Sequence, residues 1–184
     1  MESNQKNAEL AYSICQEISI VADLEEAHWA DGAHQGVSEI EKRVVIKNGS
    51  QPIAACQVVL EEMAYQFRDE WIHPPSGYEQ KALRWVQRCD SQDGPIEIAA
   101  NGSAKLALVK MFRFPNPYFG ITYGDGSMGR THHFTGTYRL RLRLEGKISN
   151  GSDKQDFSPC SFEVHLIYVS ALELNIEDIV RINA

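Results

Sequence analysis

Long apolar runs are missing from this sequence, and no stretch approaches the roughly 20 residues that a membrane-spanning helix needs. Residues 1–7 are polar and lack the apolar core of a signal peptide. The four cysteines form no CxxC pair, so the ligand spacing typical of zinc sites is missing too. These absences predict a cytoplasmic protein with free, buried thiols, no metal site and no cofactor.

Excess positive charge is also missing, because the 184 residues carry a formal net charge of −7. This acidity does not favour nucleic acid as a partner, since a basic domain is expected for that role. The length fits one domain over residues 1–184, with a helix-rich part at 1–90 and a sheet-rich part at 95–172. Residues 1–40 are strongly acidic and residues 105–147 are basic, which indicates internal complementarity or two faces with different partners.

Catalytic signatures are missing as well. Gly124–Gly129 formally reads GxGxxG, but a dinucleotide site needs a helix after the glycines, and the β-rich residues that follow predict a strand. A protein-kinase glycine loop would need further motifs that the chain does not contain. The segment is therefore interpreted as a hairpin tip, or as a flap over a ligand with Asp125, Ser127 and Arg130 as contacts.

A strand with two distinct faces is the clearest positive feature. From His133 to Glu145, leucines and aromatic residues alternate with polar ones, which is the pattern of a strand with one buried face. The polar face carries Arg139, Arg141 and Arg143, whose Cα atoms would lie roughly 6.5–7 Å apart.

Two interpretations of this arginine face remain open. The arginines could pair with acids on neighbouring strands, for which Glu163 is an obvious candidate. Alternatively, the face could bind a phosphate or a carboxylate, groups that suit the planar guanidinium. The second interpretation predicts a ligand-binding site formed by Arg139, Arg141, Arg143, His133, Thr135, Thr137, Asp125, Ser127 and Arg130.

The predicted fold is α+β, with N-terminal helices packed on one face of a curved antiparallel sheet of about five strands. Apolar residues at three- and four-residue steps predict helices over residues 7–30, 53–72 and 78–89, and a short helical end at 175–180. Strands are predicted at 43–47, 96–100, 104–114, 118–123, 133–145 and 160–172, with Asn101-Gly102 as the turn of a hairpin.

Three functions are compatible with these features. The first is a soluble domain that binds an anionic small molecule on the basic sheet face. The second is a protein–protein interaction module, such as an adaptor, an inhibitor or an immunity-type protein, that uses the acidic N-terminal helix or the arginine face. The third is an enzyme with a histidine such as His133 or His165 as general base. The oligomeric state stays open.

Overall fold

The structure is a computed structural model that describes residues 15–24, 27–30, 37–73, 80–86, 94–112, 117–129, 134–150, 153–156, 160–170 and 173–182. Apart from one helical turn at residues 15–17, the regular structure of these ranges is β-strand. The strands are β1 (Ser19–Ala22), β2 (Ala27–Ala30), β3 (Val37–Lys47), β4 (Ile53–Phe67), β5 (Glu70–Ile72), β6 (Ile96–Ile98), β7 (Ser103–Phe112), β8 (Tyr118–Ile121), β9 (Gly136–Asn150), β10 (Asp153–Asp156), β11 (Cys160–Ser170) and β12 (Glu173–Ile182).

The strands form two antiparallel sheets. The first has the order β1-β3-β7-β8, and β2 also pairs with β3. The second has the order β12-β11-β9-β4-β5, with β10 beside β9 and β6 beside β4. Strand β9 is therefore central in the second sheet, between β4 and β11.

The core lies between the two sheets. On β9 the alternate residues Tyr138, Leu140, Leu142 and Leu144 are at most 2% exposed. Phe119 of the first sheet reaches across, with its ring centroid 4.8 Å from that of Tyr138. Burying a leucine side chain contributes about 1.5–3 kcal/mol, so this alternation is a main reason why the two sheets pack face to face.

Residues 81–86 join the two sheets along one side. The Leu83 amide donates to the Val58 carbonyl of β4 at 2.7 Å, and the Ala107 amide of β7 donates to the Arg84 carbonyl at 2.9 Å. One extended segment thus pairs with both sheets and protects the edges that would otherwise be exposed there.

A buried asparagine holds two turns together at one end of the molecule. The Asn48 side chain, 7% exposed, places Nδ2 2.7 Å from the Gln51 carbonyl and 3.0 Å from the Ala99 carbonyl. The Asn101 amide in turn donates to the Gly49 carbonyl at 2.6 Å. Two Asn-Gly turns that are far apart in sequence therefore form one hydrogen-bonded unit.

The α+β prediction, with N-terminal helices packed on one face of the sheet, is wrong. Of the first predicted helix, residues 7–14 lie outside the described residues, and much of the rest forms β1 and β2. Residues 53–72 form β4 and β5, and residues 80–86 are extended. The predicted helical end at 175–180 belongs to β12.

The register of β4 explains why its sequence resembles that of a helix. The strand has two irregularities, one between Ala54 and Gln57 and one between Leu60 and Glu62. Each β-bulge moves the following residues to the opposite face, because side chains in a strand alternate with a period of two. Buried residues therefore fall three positions apart across each irregularity, at Ile53 and Cys56 and at Leu60 and Met63, and steps of this size imitate one face of a helix.

The later strands agree better with the sequence. Strands occupy most of the predicted ranges at 43–47, 96–100, 104–114, 118–123, 133–145 and 160–172. Asn101 is a turn residue with a positive φ of 56°. The predicted hairpin is wrong, however, because β6 pairs with β4 and β7 pairs with β3, so this turn connects the two sheets.

The cysteines differ from the prediction of free thiols. Cys15 and Cys160 form a disulfide across 145 residues of sequence. Cys56 is a free, buried thiol, and burial raises its pKa to about 12. Cys89 lies outside the described residues.

The described residues contain no helix that is long and apolar enough to cross a membrane.

Candidate functional site

The residues predicted as one ligand site lie in three separate places. We call the first the arginine ladder, namely Arg139, Arg141 and Arg143 on the outer face of β9. The second is a groove that contains Thr135 and Thr137. The third is the turn that holds Asp125 and Ser127. Arg130 and His133 lie outside the described residues.

Each arginine of the ladder faces carboxylates. In the register of the sheet, Arg141 lies between Glu62 of β4 and Glu163 of β11. Its Nη2 atom is 3.0 Å from Glu163 Oε1, and its Nη1 atom is 3.6 Å from Glu62 Oε2. The hydrogen bond to Glu163 is the main reason why the pKa of Arg141 is raised.

The two neighbouring arginines are paired in the same way. Arg139 Nη2 lies 3.1 Å from Glu62 Oε1. Arg143 contacts Glu61 at 2.9 Å and Glu145 at 2.7 Å. Three guanidinium groups thus meet four carboxylates, so the face is not an open cationic surface. This is the first of the two interpretations of the arginine face, and the predicted partner Glu163 is among the acids.

Aromatic and imidazole rings cover one end of the ladder. The Arg139 guanidinium lies 4.8 Å from the centroid of the Trp71 ring, and the Trp71 and His165 rings are 6.1 Å apart. His165 Nε2 is 3.8 Å from Glu163 Oε2, and His73 Nδ1 is 3.1 Å from Glu62 Oε1. Both imidazole groups therefore lie beside carboxylates that the arginine ladder also contacts. Within the described ranges, no group of three histidine, cysteine or acidic side chains is placed to hold a metal ion.

Thr135 and Thr137 line a groove at the end of the second sheet. We call it the aromatic groove, a space of about 320 Å³ between the end of β4 and the start of β9. Its lining consists of Tyr65, Gln66, Phe67, Phe134, Thr135, Gly136, Thr137 and Tyr138.

The groove exists because two strands separate. The pairing of β4 with β9 ends at Tyr65 and Tyr138, so residues 66–67 are not paired with residues 135–137. A Cβ atom built on Gly136 meets no heavy atom within 4 Å, which agrees with open space at this point.

Two phenylalanines stand exposed at the groove. Phe67 is 58% exposed and Phe134 is 80% exposed. Below them the Tyr138 hydroxyl donates to the Phe134 carbonyl at 2.5 Å, and burial raises the pKa of Tyr138 to about 12. The floor of the groove is therefore fixed, while its walls present aromatic surface to solvent.

The glycine-rich segment is a hairpin tip. The Tyr123 amide donates to the Ser127 carbonyl at 3.0 Å, and Gly126 has a φ of 75°, which favours glycine. Asp125 accepts hydrogen bonds from the Ser127 amide at 2.9 Å and from its hydroxyl, and these bonds lower the pKa of Asp125. Asp125 Oδ2 also lies 3.6 Å from Lys81 Nζ. The turn is confirmed, but the predicted hairpin between the strand at 118–123 and the arginine strand is wrong, because β8 lies in the first sheet and β9 in the second. A flap over a ligand stays a prediction.

Sequence reasoning missed the aromatic groove for a definite reason. Phe67 fell in a predicted helix, and Phe134 shared the parity of the buried leucines. The available signal was the stretch Gln66-Phe67-Arg68-Asp69-Glu70, where a two-residue turn separates strand-forming residues. Identifying that hairpin would have placed Phe67 at a strand end.

Comparisons with known proteins do not identify the chain, since no family model, no curated protein and no solved structure matches it.

Proposed function

We propose that this protein is a protein–protein interaction module that binds an extended segment of a partner protein in the aromatic groove. The observation that carries the proposal is the pair of exposed phenylalanines at that groove, Phe67 and Phe134. Large exposed apolar side chains grouped around a concave surface are characteristic of interaction sites.

Burial of the two exposed phenylalanines would contribute to the free energy of binding a partner. Complete burial of one phenylalanine contributes about 1.5–3 kcal/mol. Two such side chains could therefore supply several kcal/mol before the entropic cost of association is subtracted. The cavity of about 320 Å³ has room for a large apolar side chain of the partner.

The backbone at the groove favours an extended partner. Beyond the pair Tyr65 and Tyr138, the edges of β4 and β9 that face each other are no longer joined. An extended segment can pair with such strand edges while its alternate side chains enter pockets. The hydroxyls of Thr135 and Thr137 and the amide of Gln66 supply further hydrogen-bonding groups on the groove walls.

Binding of an anion on the arginine ladder stays a prediction, but the geometry supports it less well. Every guanidinium of the ladder already contacts at least one carboxylate. An incoming phosphate or carboxylate would have to displace that acid and overcome the repulsion of the others. A groove with exposed apolar groups requires no such displacement.

A phage-displayed library of random peptides tests the proposal. We expect selection on the wild-type protein to enrich peptides with a large apolar residue. A synthetic peptide of that kind should bind Phe134→Ser at least tenfold more weakly, a loss of about 1.4 kcal/mol, as measured by fluorescence polarisation.

The matched control is Leu24→Ser, because Leu24 is 94% exposed and does not line the groove. Its affinity for the peptide should equal that of the wild type. Failure to enrich any peptide would contradict the proposal, and so would peptides that bind the Phe67→Ser/Phe134→Ser double variant as tightly as the wild type.

A further inference from the structure

The two long sides of the molecule are closed in different ways. On one side, residues 81–86 form backbone hydrogen bonds with both β4 and β7. On the other side lie β1 and β12, the strands at the ends of the two sheet orders. Within the described ranges, no strand pairing joins β1 with β12. Residues 15–18 connect the two sheets there instead, and we call them the N-terminal clasp.

A covalent bond attaches the clasp to the second sheet. Cys15 forms a disulfide with Cys160, the first residue of β11, and their Cα atoms are 5.7 Å apart. Cys160 is 1% exposed, and Cys15 packs against the core. Ile18, which is fully buried, follows three residues after Cys15 and immediately precedes β1. The disulfide therefore ties the start of the first sheet to an inner strand of the second.

The other polar contacts of the clasp are hydrogen bonds, most of them exposed. Arg181 of β12 donates to the Gln16 carbonyl at 3.2 Å and to the Ile18 carbonyl. The amide and the hydroxyl of Ser50 donate to Glu17 Oε2 at 2.6 and 2.7 Å, and the amide bond is the main reason why the pKa of Glu17 is lowered. Because water competes for exposed groups, each of these bonds contributes little, and the disulfide is the strongest attachment of the clasp.

The length of chain between the two cysteines adds to the importance of the disulfide. The bond closes a loop across 145 residues, and the restriction that a disulfide places on the unfolded chain grows with loop length. The central strands have further support, because Leu140, Leu142 and Leu144 of β9 are completely buried between the sheets. Loss of the disulfide should therefore loosen the clasp first, while the central strands stay folded.

We propose that the disulfide between Cys15 and Cys160 is a redox switch that controls the attachment of the N-terminal clasp. A dithiol reductant, such as dithiothreitol or a protein with a CxxC pair, supplies two electrons and two protons. One of its thiolates attacks a sulfur of the disulfide, the S–S bond breaks, and a mixed disulfide forms. Its second thiol then releases the bound cysteine, so that Cys15 and Cys160 become thiols and the reductant becomes a disulfide.

The reduced form presents a surface that the oxidised form covers. Release of the clasp uncovers the buried side chain of Ile18. It also removes the carbonyls of Gln16 and Ile18 from the Arg181 guanidinium of β12. An apolar and a cationic group thus become accessible at the same edge of the molecule.

The switch is separate from the aromatic groove. Cys160 pairs with Leu144 at one end of β11, whereas Tyr168 pairs with Gly136 of the groove wall at the other end. The proposed switch therefore goes beyond the proposed peptide binding and does not depend on it.

Mass spectrometry and NMR spectroscopy test the proposal. Peptide mapping of the untreated protein should yield a linked pair of peptides that contains Cys15 and Cys160. The amides of Ile18 and Ser50, which donate to the clasp, should exchange with solvent at least about tenfold faster once dithiothreitol is added. In the same reduced sample, the Leu142 amide should stay protected far longer than these two, and the thermal midpoint should fall by about 5 °C or more.

Two cysteine variants separate the switch from other effects of the reductant. Cys15→Ser should show the fast exchange of the reduced wild type without any reductant, and dithiothreitol should change nothing further. Cys56→Ala, which removes a thiol outside the disulfide, should respond to dithiothreitol like the wild type. The proposal is overturned if the untreated protein yields no linked peptides, if reduction leaves the exchange of Ile18 and Ser50 unchanged, or if Leu142 then exchanges as fast as they do.

Discussion

The arginine ladder and the aromatic groove are neighbouring stretches of β9, yet they differ in how their surface groups are satisfied. In the ladder, guanidinium groups and carboxylates from three strands meet one another at 2.7–3.6 Å. In the groove, Phe67 and Phe134 expose more than half of their side-chain area to solvent. Each guanidinium of the ladder contacts a carboxylate of the same chain, whereas the groove leaves apolar area that a partner could cover.

This difference shows that a conspicuous row of like charges can be paired within the folded chain. Three arginines at alternate positions attract attention, but each faces an acid whose position depends on strand order. The two phenylalanines are inconspicuous in the sequence because apolar residues usually belong to the core. The proposed function therefore rests on the exposed phenylalanines and not on the arginines.

The largest expected effect is the loss of folding stability when a core residue beneath the two surfaces is shortened. Leu142 is completely buried under the ladder, so Leu142→Ala should lower the free energy of unfolding by about 2–5 kcal/mol through lost transfer energy and a cavity. Phe134→Ser should change it by less than about 0.5 kcal/mol, since the side chain is 80% exposed. Urea denaturation measures both values. Equal losses would contradict the view that Phe134 is a surface group.

An effect of intermediate size is expected on folding stability at alkaline pH, where Tyr138 at the floor of the aromatic groove ionises. Burial raises the pKa of Tyr138 from 10.0 to about 12, so the folded protein holds this proton more tightly than the unfolded chain. The resulting stability is present below pH 10 and is lost as the pH rises from 10 towards about 12. The loss should be on the order of 2 kcal/mol.

Tyr138→Phe isolates this contribution. Cys56, whose buried thiol also has a raised pKa, titrates in both proteins and therefore cancels from the comparison. Denaturation midpoints measured between neutral pH and pH 12 should fall less steeply in the variant. Parallel curves would mean that Tyr138 ionises equally easily in the folded and unfolded states.

The smallest expected change in folding stability is that of a substitution in the arginine ladder. Arg141→Ala should cost only about 0.2–1 kcal/mol at low salt, because partly exposed ion pairs contribute little. High salt should reduce this cost further through screening. The same variant tests the anion-binding prediction. If phosphate or a dicarboxylate raises the thermal midpoint of the wild type and not of Arg141→Ala, then the ladder binds anions despite its carboxylates.

How much of the fold the sequence predicts depends on the regularity of each strand. In β9, buried and polar residues alternate without interruption from Tyr138 to Glu145, and the strand was recognised. In β4 two bulges change the parity, so the sequence pattern predicts a helix where a strand forms. The sequence does not predict the disulfide between Cys15 and Cys160, because the two cysteines are 145 residues apart and their proximity depends on the tertiary fold.

The sequence predicts the candidate sites only in part, for a similar reason. The pairing of Arg141 with Glu163 was anticipated, since both residues lie on polar faces of strands that were recognised. The approach of Glu62 was not, because its strand was misassigned. Whether Thr135 and Asp125 share a site depends on the three-dimensional path of the chain, and the structure places them in different cavities.

The amide of Asn48 has a consequence for the rate of unfolding. Two of its three carbonyl partners, Ile98 and Ala99, lie about 50 residues away, so these two hydrogen bonds can form only after both turns have met. Contacts that form late are absent from the folding transition state and therefore mainly slow unfolding. Asn48 is thus expected to slow unfolding more than it accelerates folding.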